Sequence, residues 1–261
     1  MTRSRSRVVS SFTIVKGSLI DETYAAFQAW DYATDKRSNL NRLKDGAGLA
    51  VGRAKWARDV AKVLNRRFDP GGRDRPLVEL AKAGCDRDVW KPLLLWHITR
   101  DEFLLRDFLI HWLYPKFSQG VFRLHADDVR PYLEALSEQK GIEWSGAWTE
   151  ATTDRVASGL LRIATDFSLL TGTQAREFVS YRLPEPSFLY ILHAMADAES
   201  NARRILEAED WRMYLMDASD VEREVLRLHQ YRKLHYEVAG SLAQLALPCR
   251  SSADFARELC A

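Results

Sequence analysis

Leu93-Leu-Leu-Trp-His-Ile-Thr-Arg-Asp-Glu-Phe-Leu-Leu-Arg-Asp-Phe-Leu-Ile-His-Trp-Leu113 is the most apolar stretch of the chain, and it separates a membrane fold from a globular one. A spanning helix needs about 20 mostly apolar residues, and each charge at its centre costs roughly 2.5–3.5 kcal/mol on insertion scales. Arg100, Asp101, Glu102, Arg106 and Asp107 all lie inside this run. The pattern therefore predicts the buried central helix of a globular protein, running from Asp86 to Leu113, bent near Pro92 and ended by Tyr114-Pro115. The basic N-terminus MTRSRSRVVSSFTIVKG has no apolar segment of signal-peptide type. Three scattered cysteines among 261 residues give neither a disulfide framework nor a Cys-based zinc site. A cytoplasmic protein with no membrane partner is expected.

Outward from that helix, period-3.6 patterns dominate, so the expected fold is mainly α, a globular multi-helix protein. Helices are predicted over Asp21–Ala33, from Thr34 or Asp35 to Lys44, and over Leu49–Phe68. Gly46-Ala-Gly48 breaks the second from the third, giving a first helix–turn–helix. Asp69-Pro-Gly-Gly-Arg-Asp-Arg-Pro76 is the strongest loop. It divides a basic N-terminal subdomain, residues 1–75, from a helical body, residues 76–261. In the body, helices are predicted over Pro76–Ala83, His125–Gln139, Thr149–Phe167 and Ser187–Asp197. The segment Phe167–Leu183, with Gly172 as its turn, reads as a short β-hairpin. Helix, turn, helix and hairpin over 125–183 is the order of a second, winged helix–turn–helix. A long helix from Ser219 or Asp220 to about Leu245 and a terminal helical turn at Ser252–Cys260 complete the expectation.

Catalytic motifs are weak. There is no phosphate loop, no His-Glu-x-x-His and no Cys-x-x-Cys. Gly46-Ala-Gly48-Leu-Ala-Val-Gly52 has one residue too many for a dinucleotide fingerprint and follows a helix, not a strand. Glu138-Gln-Lys140 has an acid-x-Lys spacing but sits at a helix end, away from further carboxylates. His97 and His111 are fourteen residues apart and could share a face of one helix; His229 and His235 lack metal-pair spacing. No enzyme, cofactor or metal is expected.

Charge carries more. Residues 1–75 hold 16 Lys/Arg against 8 Asp/Glu, and the remainder 22 against 28, so a region of +8 is joined to one of −6. At about 100° per residue, Lys55, Arg58, Lys62 and Arg66 fall within about 80° of one another, opposite Ala57, Val60, Ala61 and Leu64. Only Asp59 borders the ridge. Ordinary solvated faces mix signs, so this one points to phosphate. Lys36, Arg37, Arg42 and Lys44 extend it along the preceding helix. On Thr149–Phe167, Arg155 and Arg162 flank Ser158 and Gly159, small residues that would admit a groove, and Arg176 and Arg182 would be wing contacts. Asp154 and Asp166 work against that surface. The plainer alternative for both is a solvated face.

The segment order has a further meaning. Lys16-Gly-Ser-Leu-Ile-Asp-Glu-Thr23, Leu95-Trp-His-Ile-Thr-Arg100, Trp148-Thr-Glu-Ala-Thr-Thr-Asp-Arg155, Leu160-Leu-Arg-Ile-Ala-Thr-Asp-Phe-Ser-Leu-Leu170 and Leu183-Pro184 together resemble the BrxA family of BREX bacteriophage-exclusion systems. The resemblance implies a largely helical, non-enzymatic protein. It would bind double-stranded DNA through two helix–turn–helix elements, beside separate methyltransferase and ATPase components. Arg155 and Arg162 fall in the matching region; the 55–66 ridge rests on periodicity alone. A second reading is a protein-interaction adaptor that docks a basic partner on Asp217–Glu224 without touching DNA.

Overall fold

The computed structural model describes residues 7–45, 54–144, 146–240 and 242–260. The fold is mainly α, as the periodicity predicts. The N-terminal part contains α1 (Ser11–Lys16), α2 (Ile20–Gln28), α3 (Lys36–Lys44) and α4 (Ala54–Arg67). The Gly46–Gly52 turn lies outside the described residues. Next come α5 (Arg75–Lys82), α6 (Arg87–Ile98), α7 (Phe103–Asp107), a π-helical stretch Phe108–Leu113 and α8 (Tyr114–Ser118). The remaining helices are α9 (Ala126–Ser137), α10 (Glu150–Asp166), α11 (Glu185–Ala196), α12 (Ala202–Leu206), a 3-10 turn Glu209–Tyr214, α13 (Ala218–Gln230) and α14 (Ser252–Leu259). Side-chain caps set several starts: Asp35 accepts from Ser38 N–H, Thr149 from Thr152 N–H and Asp217 from Asp220 N–H.

Three two-stranded sheets accompany the helices. β1 (Val8–Val9) pairs in parallel with β2 (Glu143–Trp144), tying the N-terminus to the loop before α10. β3 (Leu170–Gly172) and β4 (Arg176–Phe178) form the expected antiparallel hairpin, and Leu124 bridges to Arg176 across its edge. β5 (His235–Ala239) and β6 (Leu242–Ala246) form a second hairpin. One hydrophobic cluster runs from Val9 to Ala256 and includes the fully buried Trp90, Tyr190, Trp211 and Tyr214.

Two expectations are corrected. The central run is not one helix to Leu113. It breaks after Ile98, where Thr99 Oγ1 turns back to Leu95 O and Glu102 turns inward, 3% exposed, toward Arg67. That break also separates His97, which is buried, from His111, which is exposed at 47% of its side chain. Pro115 does not end the helix: it falls in the first turn of α8, directly after the π-helical stretch, where proline is tolerated. The long C-terminal helix stops at Gln230. Arg232 takes a left-handed conformation (φ 57°), Lys233 N–H returns to Leu228 O, and the chain turns into β5 and β6 around Gly240 (φ 61°).

Two polar clusters are buried in the core. Arg67, 1% exposed, bonds Glu102 Oε1 at 3.4 Å, Ser18 O at 3.1 Å, and Thr13 O and Gly17 O at 3.0 Å each. Thr13 Oγ1 donates to the second Glu102 oxygen at 2.7 Å. Elsewhere His97 Nδ1 lies 2.6 Å from Asp74 and Nε2 lies 2.9 Å from the Tyr190 hydroxyl. Burial pushes the Tyr190 phenol up, so it stays protonated and donates to Nε2. Burial also holds the His97 imidazole below its ordinary value, against the pull of Asp74. His97 is thus neutral, with Nδ1–H donated to the carboxylate.

Truncating Arg67 to Ala leaves Glu102 buried and unpaired, so stability should fall by about 3–5 kcal/mol in urea unfolding. A second expectation concerns pH. His97 and His193 both have values depressed by burial, so the unfolded chain takes up their protons first. Stability should be full above about pH 6.5 and fall as pH drops below it. A urea midpoint unchanged from pH 7.5 to 5 would show these histidines already charged in the folded protein.

Candidate nucleic-acid interface

α4 buries Ala57, Val60, Ala61, Val63 and Leu64 and leaves Lys55, Arg58, Lys62 and Arg66 exposed, as the wheel requires. Lys55 and Lys62 make no ion pair among the described residues, and Arg58 bonds only the Ala54 carbonyl of its own helix. Arg66 is exposed but also donates to Ser10 Oγ at 2.9 Å. The one acid beside the ridge is covered: Lys16 Nζ lies 2.6 Å from Asp59 Oδ2 and holds that carboxyl below the usual range.

The preceding helix is less available. Lys36 is half-buried and donates to Asn65 O at 2.8 Å and Phe68 O at 2.6 Å, which terminates α4. Arg42 binds Asp31 at 3.3 Å and Asn39 Oδ1 at 2.6 Å. Lys44 donates to Asn41 Oδ1 of its own helix at 2.9 Å, and Arg37 is exposed.

On α10, Arg155 is exposed and its Nε caps back to Ala151 O at 3.0 Å. Gly159 is buried, because a Cβ there would meet Ile14 O of α1 at 3.0 Å. The small residues between the arginines thus admit α1 of the same chain, not a DNA groove. Arg162 donates to Val15 O at 3.1 Å and its guanidinium lies over Gly17 (φ 89°). Arg176 is 9% exposed, its Nε has no partner, and burial lowers its affinity for the proton, with Arg162 adding to the effect. The sequence reading made it a wing contact; the fold places it largely inward on β4. Arg182 is exposed but lies beyond the hairpin, and Arg123 on the adjoining edge pairs with Glu177. The acids that weighed against this surface are partnered: Asp154 with Arg130 and Asp166 with the Ser18 hydroxyl.

α1, which periodicity missed, links the two surfaces. Ser10 meets Arg66 and Lys16 meets Asp59, so α1 runs antiparallel to α4. Ile14 meets Gly159 and Val15 meets Arg162, so it runs parallel to α10. Lys16, Trp56 and Arg162 line one cleft of about 540 Å³. A six-residue helix shows too little periodicity to be found from sequence.

Other candidates are placed otherwise. Glu138 caps α9 at an exposed end with Lys140 beside it. The hairpin brings the His229 and His235 rings to 5.3 Å, but His229 Nδ1 accepts from Tyr236 N–H. Among the described residues no group of three His, Cys, Asp or Glu could hold a metal ion, and no helix is long and apolar enough to cross a membrane. In the acidic segment, Asp217 and Asp220 form a capping box, Glu222 accepts from Tyr236 and Glu224 holds Arg227.

The placements separate cations that hold the fold from cations that face solvent. Lys36→Ala should cost about 1–2 kcal/mol, since two carbonyls lose a charged donor. Lys62→Ala should stay within about 0.5 kcal/mol of the parent. Thermal melts of the two variants check the difference; equal losses would mean that Lys62 also has a structural role.

No curated protein matches the chain. The BrxA family model matches residues 11–194, from the start of α1 to within α11, and so takes in α1, α4 and α10 together. The chain therefore belongs to the BrxA family and is a component of a BREX phage-defence system.

Proposed function

We propose that this protein binds double-stranded DNA without catalysing a reaction on it, contacting phosphates with little sequence preference. The observation that carries this is the exposed face of α4. Among the described residues, Lys55, Arg58 and Lys62 stand on it without an ion-paired carboxylate, while the neighbouring acid, Asp59, is held by Lys16. Arg66, Arg37 and Lys44 extend that surface, and Arg155 adds a cation from α10. A duplex carries a charge every 1.7 Å or so along its axis, and neutralising its phosphates releases counterions.

Local architecture supports the same reading. α3 and α4 are consecutive helices that pack on each other. α9, α10 and the β3–β4 hairpin, closed by the Leu124–Arg176 bridge, follow winged-helix order. The wing offers Thr171, Gly172, Thr173 and Gln174 at its exposed tip in place of arginines. Those groups suit weak backbone contact more than base reading. The acidic segment needed by the adaptor reading is taken up by caps and internal pairs, so no observation favours it over DNA. Partners would be duplex DNA and, through the family, the other proteins of the defence system.

Fluorescence anisotropy of a mixed-sequence duplex at several salt concentrations tests this. The parent should bind with affinity that falls as salt rises. Replacing Lys55, Arg58 and Lys62 by Ala should reduce the slope of log K against log salt by about 3. Absence of binding at low salt would discard the DNA reading, and an unchanged slope would move the contact off α4.

A further inference from the structure

α1 presents an apolar side chain between the two cationic surfaces. Phe12 is 37% exposed on a helix whose next two residues, Thr13 and Ile14, are fully buried. Lys16, one turn later, lies over its ring at 5.8 Å. On the α4 side, α1 is fixed by Ser10–Arg66 at one end and Lys16–Asp59 at the other, so Phe12 stands beside the half of α4 nearer Arg66. On the α10 side, Ile14 abuts Gly159, and the parallel course puts Phe12 about half a turn earlier, at a level between Arg155 and Ser158. Packed helices sit about 8–10 Å apart, so cations stand on both sides of the ring.

We infer that Phe12 is a wedge that enters the duplex at a base step and partly unstacks it. The inference rests on the DNA reading above and names how that surface engages its ligand. Exposed phenylalanines on soluble proteins are common and mean little singly. This one is carried by the helix that lies between α4 and α10, where α4 could take one backbone and α10 the other. Apolar wedges flanked by phosphate-binding cations unstack steps and bend DNA, and they bind most readily where stacking is already weakened. Lys16 fits the same geometry: its ammonium covers Asp59, which would otherwise repel the nearer backbone.

The position also explains why α1 must be held rigidly. A wedge works only if inserting it does not push it back into its own protein. Behind Phe12 lie Thr13 and Ile14, and beneath them Arg67 grips the carbonyls of Thr13 and Gly17.

The test compares two duplexes of equal length, one perfectly paired and one with a single central mismatch, which fixes where a wedge would enter. A 2-aminopurine next to the mismatch reports unstacking. The parent should bind the mismatched duplex about fivefold or more tightly and raise the 2-aminopurine fluorescence. Phe12→Ala should bring the ratio below about twofold and abolish the rise, with its salt slope unchanged. Phe12→Leu, still an apolar wedge, should keep most of both effects, and thermal melts should show all three folded. Equal affinity of the parent for the two duplexes, or a fluorescence rise that persists in Phe12→Ala, overturns the wedge and leaves the phosphate contact standing. No binding of either duplex at low salt overturns the DNA reading, and the wedge with it.

Discussion

The buried guanidinium of Arg67 is the contact on which the rest of the N-terminal half depends. It issues from the last turn of α4 and reaches the carbonyls of Thr13, Gly17 and Ser18 and the carboxylate of Glu102. A charge taken this far from water costs several kcal/mol unless every donor is used. Here the donors are used on two segments that would not otherwise share an orientation. One is the end of α1, where Gly17 must take a positive φ. The other is the break after α6, where Glu102 turns inward. Burial lowers the proton affinity of Arg67 and Glu102 opposes that, so the guanidinium stays charged and the pair stays closed.

That one side chain therefore sets both the fold and the candidate site. Fixing the end of α1 against α4 brings Lys16 to Asp59. It also lets Arg162 of α10 close over Gly17 from the other side. α1 is only six residues long, and isolated helices of that length do not persist in water. Its geometry comes from its neighbours, and it serves as the strut between α4 and α10.

Much of this was legible in the sequence, and the misses have physical causes. The long amphipathic helices were readable because burial imposes a period that survives any tertiary context, as α4 and α10 show. The β3–β4 hairpin was readable from Gly172. The end of the C-terminal helix at Gln230 is not legible, because the alternation in His235-Tyr-Glu-Val-Ala is too short to outweigh the helical period before it. α1 was missed for want of length. Among site residues, periodicity could say which cations face away from an apolar stripe, which held for Lys55, Arg58 and Lys62. It could not say which would be captured by a distant carbonyl. Lys36 ends on Asn65 and Phe68, twenty-nine and thirty-two residues away, and Arg162 ends on Val15, 147 residues away. Nor does periodicity show that β4, bridged to Leu124, turns Arg176 largely inward.

The cationic face of α4 is an unfavourable arrangement for folding alone. Lys55, Arg58 and Lys62 stand three and four residues apart, so each neighbour pair repels by a few tenths of a kcal/mol. Elsewhere in this protein several arginines are answered by acids: Arg106 by Glu209 and Asp210, Arg130 by Asp154, Arg227 by Glu185 and Glu224. On the exposed face of α4 the cations have no such pair among the described residues, and the helix's own acid shows why. Asp59 sits where it could pair with the ridge, yet it is taken by Lys16 from α1. The effect is to remove a negative charge from the surface and leave the repulsion in place. Burial of Ala57, Val60, Val63 and Leu64 outweighs that repulsion by several kcal/mol, so the helix can carry it. A polyanion laid along the face would relieve it, and the same contact would turn a small cost to the free protein into part of its affinity for the complex.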